Sequence, residues 1–293
     1  MKSPDPQTST LVFHLQVGGT AVVALVMAIA LGAWYVLAVR RLRGRQRAWS
    51  PFRPVAFFIG LLAAAYSLAG GVAYYDVSNF SDSVIQHLLL FGVAPPLLAM
   101  GAPLTLALQA SSPRVTARAL SVLNSRAARF LAHPVVSFAV LMATLYVFYL
   151  TPVYSYAAQY AVLRGYADLQ FLAAGCVFWW PMVGRDALPR RVSFGARFVA
   201  VFVSVPFYAA LGLSISGFTH PLYPAANTVA DTKAGGNILW ALAEIFLVVV
   251  LALLFVQWAR EEELKAVRAD RQLDAALAAA RSSVAPAPPP ARS

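Results

Sequence analysis

Charge is scarce in this chain: Asp, Glu, Lys and Arg make up 12% of its 293 residues, about half the share usual in soluble domains. Cysteine is scarcer still. Cys176 stands alone, which excludes an intrachain disulfide and a thiolate metal cage. In mid-span it reads as a small packing residue. No HxxxH or CxxC spacing occurs, and no serine or cysteine has a histidine spaced to act as its base. An enzyme site is therefore not legible. No internal repeat is visible either, and the inner halves of the apolar runs carry little polarity beyond Glu244 and serines. Both features argue against a repeat-built transporter with a polar path.

What is abundant is apolar sequence. Hydrophobic residues make up 60% of the chain, and the mean hydropathy is +0.66. Runs of about 20 such residues are each long enough to cross a hydrocarbon core of roughly 30 Å as a helix. They lie at 17–39, 54–73, 84–109, 134–151, 165–184, 195–216 and 235–258. A bilayer requires each segment to satisfy its own backbone groups, so the expectation is an all-α, polytopic membrane bundle of about seven helices. The first run is long, has only Lys2 as a basic leader and is followed by arginines. It reads as a retained signal anchor.

The net charge of +11 has a location. All basic residues except Lys2, Arg164 and Lys233 fall on one side of the expected bundle, in groups such as Arg40–Arg53, Arg114–Arg129 and Arg185–Arg197 and in the C-terminal tail. Positive residues mark cytoplasmic loops, so the N-terminus is expected outside and the C-terminus inside. Arginines flanking helices anchor them to membrane lipid and need no nucleic-acid partner. The expected organisation is an extracytoplasmic segment at 1–16, a membrane domain at 17–258, a charged cytoplasmic helix at 259–281 and a disordered Pro/Ala-rich tail at 282–293. Glu261 and Glu262 stand four and three residues before Lys265, spacings that support that helix.

With that topology Asp76, Asp82, His87, Asp168, His14 and His220 gather at the outer face, and His133 lies at the other. Imidazole and carboxylate together can hold copper or another transition metal. On spacing alone, interfacial polar residues bonding to loop backbone are the simpler reading. Pro95 and Pro96 cannot donate to the carbonyls of Phe91 and Gly92, so the third helix is expected to bend and to sit centrally, where neighbours can satisfy those groups. Met100, just past the bend, is either a soft copper ligand or core packing. Glu244 is a carboxylate deep in the seventh run. It is expected to be protonated or paired, with a functional role or an interhelical hydrogen bond as the two readings.

The motifs QHLLLFGVAPPLLAMGAPLTLAL at 86–108, HP at 133–134, YLTPVYSYA at 149–157, GCVFWWPMVGRD at 175–186 and PLYP at 221–224 together resemble the CtaG family of assembly factors for caa(3)-type cytochrome c oxidases. The resemblance runs from about Trp34 to Trp258. It implies a seven-span protein of the bacterial plasma membrane that is not an enzyme. Its partners would be cytochrome c oxidase subunits, and its role would be to assist copper delivery or subunit maturation at the outer face. The chain departs from the family where members have HxxxH, keeping His87 but placing Ser83 at the first position. It departs again at the start of the fifth span, where Arg164 and Asp168 replace paired histidines and are spaced to form a salt bridge. A copper-independent scaffold for a respiratory complex, or a transporter of small solutes or metal, are the alternatives.

Overall fold

The long apolar runs fold as helices, and their faces explain why. In α1 (Gly19–Gly44) Val23, Met27 and Ile29 are all more than half exposed. An apolar surface of this kind suits lipid and not water. The computed structural model describes residues 18–184, 186 and 192–284, and no strand occurs among them. The expected segment 1–16 with His14, and the tail from residue 285, lie outside the described residues.

Five helical segments are long and apolar enough to cross a membrane: Gly19–Gly44, Phe52–Tyr75, Phe80–Ala110, Phe194–Ser216 and Val229–Ala276. The second comprises α2 (Phe52–Ala69) and α3 (Gly71–Tyr75). A sixth arises if α9 (Pro134–Leu150) and α10 (Val153–Gln159), which meet at 71°, count as one broken span. Helix α11 (Ala161–Val183) covers the run expected at 165–184 and has 23 residues, but it is not apolar enough to be counted with the others. Between the third and fourth runs lie two short helices, α7 (Pro113–Leu123) and α8 (Arg126–Leu131). Helix α12 is Phe194–Ser216 and α13 is Val229–Val284.

The chain divides into two compact units, Met1–Val248 and Val249–Ser293. In the second, Lys265 Nζ lies 2.7 Å from Glu262 Oε1. Of the two spacings that could support this helix, the three-residue one forms the pair.

The third run is central to the first unit. It comprises α4 (Phe80–Leu88), a π turn (Leu89–Val93), α5 (Ala94–Met100) and α6 (Pro103–Ala110). The bend expected at Pro95 and Pro96 takes the form of this π turn, with both prolines in the first turn of α5, where a missing N–H costs least. Two glycines let neighbouring helices close on it. A Cβ at Gly175 of α11 would lie 2.6 Å from Phe91 O, and one at Gly60 of α2 would lie 2.8 Å from Leu98 N. Trp179, one turn beyond Gly175, then donates its Nε1–H to Phe91 O at 2.9 Å. That is the carbonyl which Pro95 leaves without its helical donor.

At the far end, Ala102 adopts a left-handed conformation, φ 51°, and the freed Gly101 carbonyl accepts from Tyr35 Oη at 2.8 Å. Trp49 Nε1 donates to the same phenol at 3.2 Å, and Tyr35 stacks on Phe57 with ring centroids 4.1 Å apart.

Candidate functional site

The residues that begin α4 are held by a carboxylate 150 positions away. Asp231 of α13 accepts from the amides of Phe80 at 2.5 Å and Ser81 at 3.2 Å, and from Ser81 Oγ at 2.5 Å. A carboxylate on first-turn amides is the favoured charge at a helix N-terminus. Asp82 accepts from Asn79 Nδ2 at 2.9 Å. With its first turn pinned, α4 turns Gln86 and His87 inward, where they are 1% and 3% exposed.

The His87 ring stacks on Phe171 of α11 at 4.1 Å and meets the edge of Phe148 at 4.9 Å. Both its nitrogens are engaged. Nδ1 lies 2.8 Å from Tyr149 Oη, and Nε2 lies 3.5 Å from Asp168 Oδ1. A carboxylate can only accept, so the neutral tautomer with its proton on Nε2, and Tyr149 donating to Nδ1, satisfies every partner. Gln86 Nε2 donates to the same Asp168 oxygen at 3.3 Å. Gln86 Oε1 is buried without a hydrogen-bond partner among the described residues, and such an orphan costs about 1–3 kcal/mol.

Arg164 does not pair with Asp168, one turn along α11, as its spacing suggested. It reaches Asp76 instead, with Nε 3.5 Å from Oδ2. Asp76 lies between the second and third runs and is 7% exposed. Burial pushes its carboxyl up to about 7, outweighing the downward pull of Arg164, and the nearby Asp168 charge adds to the rise. A cavity of about 10 Å³, the size of one water, is bounded by Asp76, Ser83, His87, Tyr154 and Arg164. Tyr154 in turn donates to Asn227 Oδ1 at 3.1 Å.

The structure therefore brings His87, Asp168 and Asp76 together and leaves the other candidates apart. Met100 lies thirteen residues beyond His87 along the third run, about 20 Å away at helical rise. His220 is exposed, its ring 5.6 Å from Phe218. Glu244 is half-buried on α13. Pro95 and Pro96 are buried, Pro95 against Gly175 of α11. Among the described residues, no three His, Cys, Asp or Glu side chains are grouped to hold a metal ion.

Sequence reasoning missed Tyr149, Gln86 and Phe171 as members of the site. Gln86 and Tyr149 stood inside quoted motifs, yet nothing in a sequence marks a phenol 62 positions from an imidazole as its partner. Asp231 and Asp186 were also unmarked. Asp186 accepts from Thr105 Oγ1 at 2.6 Å, Leu104 N at 3.0 Å and Trp180 Nε1 at 3.0 Å, capping α6 at the opposite end of the third run.

Residues 33–261 match the model of the cytochrome c oxidase caa3 assembly factor family (Caa3_CtaG). An uncharacterized protein of Mycobacterium leprae is 32% identical over 268 residues, covering 86% of this chain and 41% of its own length. An uncharacterized protein of Mycobacterium bovis is 29% identical over 288 residues, covering 92% and 43%. The chain thus spans about two-fifths of the length of the curated relatives it matches. No solved structure matches it. With the family match running unbroken through the kinked third run, the His87 cluster and the α11 seam, the chain belongs to the cytochrome c oxidase caa3 assembly factor family.

Proposed function

We propose that the protein is a seven-span scaffold for cytochrome c oxidase maturation, with the His87 end outside and the C-terminus in the cytoplasm. The five apolar segments, the bent α9–α10 pair and α11 make seven spans. Helix α11 is about 34 Å long at helical rise, and the charges near its start are met by partners, Arg164 by Asp76 and Asp168 by His87. Orientation follows from the basic residues, which crowd the opposite end.

The observation that carries the scaffold reading is the engagement of His87 on both nitrogens. Cu(I) prefers soft sulfur and imidazole donors. This cluster offers one imidazole, two hard carboxylates and the Arg164 cation, a set that fits copper poorly. Its polar bonds instead join α4, α9 and α11, giving the outer face a defined shape on which an oxidase subunit can dock. A reporter fused after Trp258 is expected to read cytoplasmic, and one inserted between Ala157 and Val162 extracytoplasmic; a cytoplasmic signal from the second would overturn the orientation.

Copper delivery is the second reading, favoured by the water-sized void beside His87, Asp76 and Ser83. The variant His87→Asn separates the two. Asparagine can still donate and accept hydrogen bonds there but is a poor copper ligand. The scaffold reading expects copper-free purified protein, and oxidase with normal copper in the variant strain. One copper per purified chain, lost in the variant together with oxidase copper, would establish delivery instead.

A further inference from the structure

At the arginine-rich end, the helices leave a groove of about 860 Å³ between the α8–α9 elbow and the start of α12, within the range of roughly 300–1,000 Å³ typical of ligand sites. Its rim is polar, formed by Arg129, His133 and Ser193, and its wall is apolar, formed by Phe138, Val199 and Val203. A second recess of about 620 Å³ shares Arg129 and His133 and adds Arg126. We infer that this groove binds an anionic phospholipid, its phosphate on Arg126, Arg129 and His133 and one acyl chain along the α9–α12 wall.

Charge complementarity selects the occupant. No acidic residue occurs between Asp82 and Asp168, so the elbow presents positive charge with no carboxylate of its own to answer it. Arg126, Arg129 and His133 recur at three and four residues, which sets them on one side of the chain as it leaves α8 and enters α9. All three are exposed. Val135 and Val136, whose first-turn amides have no acceptor within α9, line the same recess. A phosphate meets the rim and a hydrocarbon chain meets the wall; a soluble anion would leave the wall uncovered. Arg114 and Arg118 of α7 carry the same charge but line neither recess. They therefore serve as the internal control. The inference rests on the bundle lying in a membrane, and not on the oxidase reading.

The test is native mass spectrometry of the full chain, released from nanodiscs of phosphatidylglycerol and phosphatidylcholine in equal parts. The wild type is expected to retain phosphatidylglycerol preferentially. The double variant Arg126→Gln/Arg129→Gln is expected to lower that retention about thirtyfold, taking each arginine at the strength usual for basic residues near anionic lipid. Arg114→Gln/Arg118→Gln is expected to leave it near wild type. Val199→Trp, which fills the wall without touching charge, is expected to reduce retention of both lipids. Equal retention by the Arg126/Arg129 variant, equal loss in the Arg114/Arg118 control, displacement of the bound lipid by inorganic phosphate, or a second copy of the chain in place of lipid would each overturn the proposal. Thermal midpoints of all variants in detergent separate loss of the lipid from loss of the fold.

Discussion

The two ends of the third run solve the same problem with different chemistry. Both present polar groups that a bilayer will not solvate. At the Gly101 end, neutral donors meet the freed carbonyl, with Tyr35 capping it and Trp49 capping Tyr35, while the Asp186 carboxylate accepts from the first amides of α6, from Thr105 Oγ1 and from Trp180. Every polar group named there has a partner. At the His87 end the groups are ionisable and share partners, with Asp168 serving both His87 and Gln86 while Gln86 Oε1 goes unmet. Bonds that only hold a helix tend to be complete. A cluster that tolerates an orphan and a buried carboxyl raised to about 7 is where a family function is more economically sought.

The contrast breaks most visibly at Tyr35. Tyr35→Phe strands two buried groups at once, the Gly101 carbonyl and the Trp49 indole N–H, and is expected to cost about 2–6 kcal/mol at the usual penalty for each orphan. A thermal melt of the detergent-solubilised variant measures it, and oxidase maturation per folded molecule should be unchanged. A variant that melts like the wild type would mean that the Gly101 end is not held by this chain of donors.

A smaller effect separates the ends by pH. The Asp76 carboxyl has its folded pKa raised, so the folded state binds more protons than the unfolded state between about 4 and 7. Its contribution is fully present below about 4 and is lost as pH rises through about 7, at no more than about 1.4 kcal/mol per pH unit. The thermal midpoint should therefore fall over that window, and Asp76→Asn should flatten the fall. A slope that survives the substitution would assign the titration to another group.

Smallest is the seam between the two ends. Trp179→Phe keeps most of the ring and removes only the N–H that meets Phe91 O. The expected loss is about 1 kcal/mol, since membrane helix bonds average about 0.6 and an orphaned carbonyl adds to it. An unchanged melt would leave the packing of Gly175 and Phe171 against Phe91 to tie α11 to the π turn.

Much of the architecture was written in one dimension. Long apolar runs dictate membrane helices because unpaired backbone is too costly in hydrocarbon, and this requirement acts on each segment alone. The motifs from Trp34 to Trp258 carried the family, and its matched extent is 33–261. Pro95 and Pro96 foretold a bend because proline lacks the donor its helix needs. That bend became a π turn with a specific rescuer, Trp179, and this depended on Gly175 letting a helix 84 positions away approach the backbone. Ion pairing was less legible still. Spacing set Arg164 beside Asp168 on one helix, yet Arg164 joins Asp76 and Asp168 joins His87. Helical periodicity names the neighbours along a surface, but a buried charge goes to the partner that folding delivers at the least cost in desolvation, and that partner was fixed only when α4, α9 and α11 packed together.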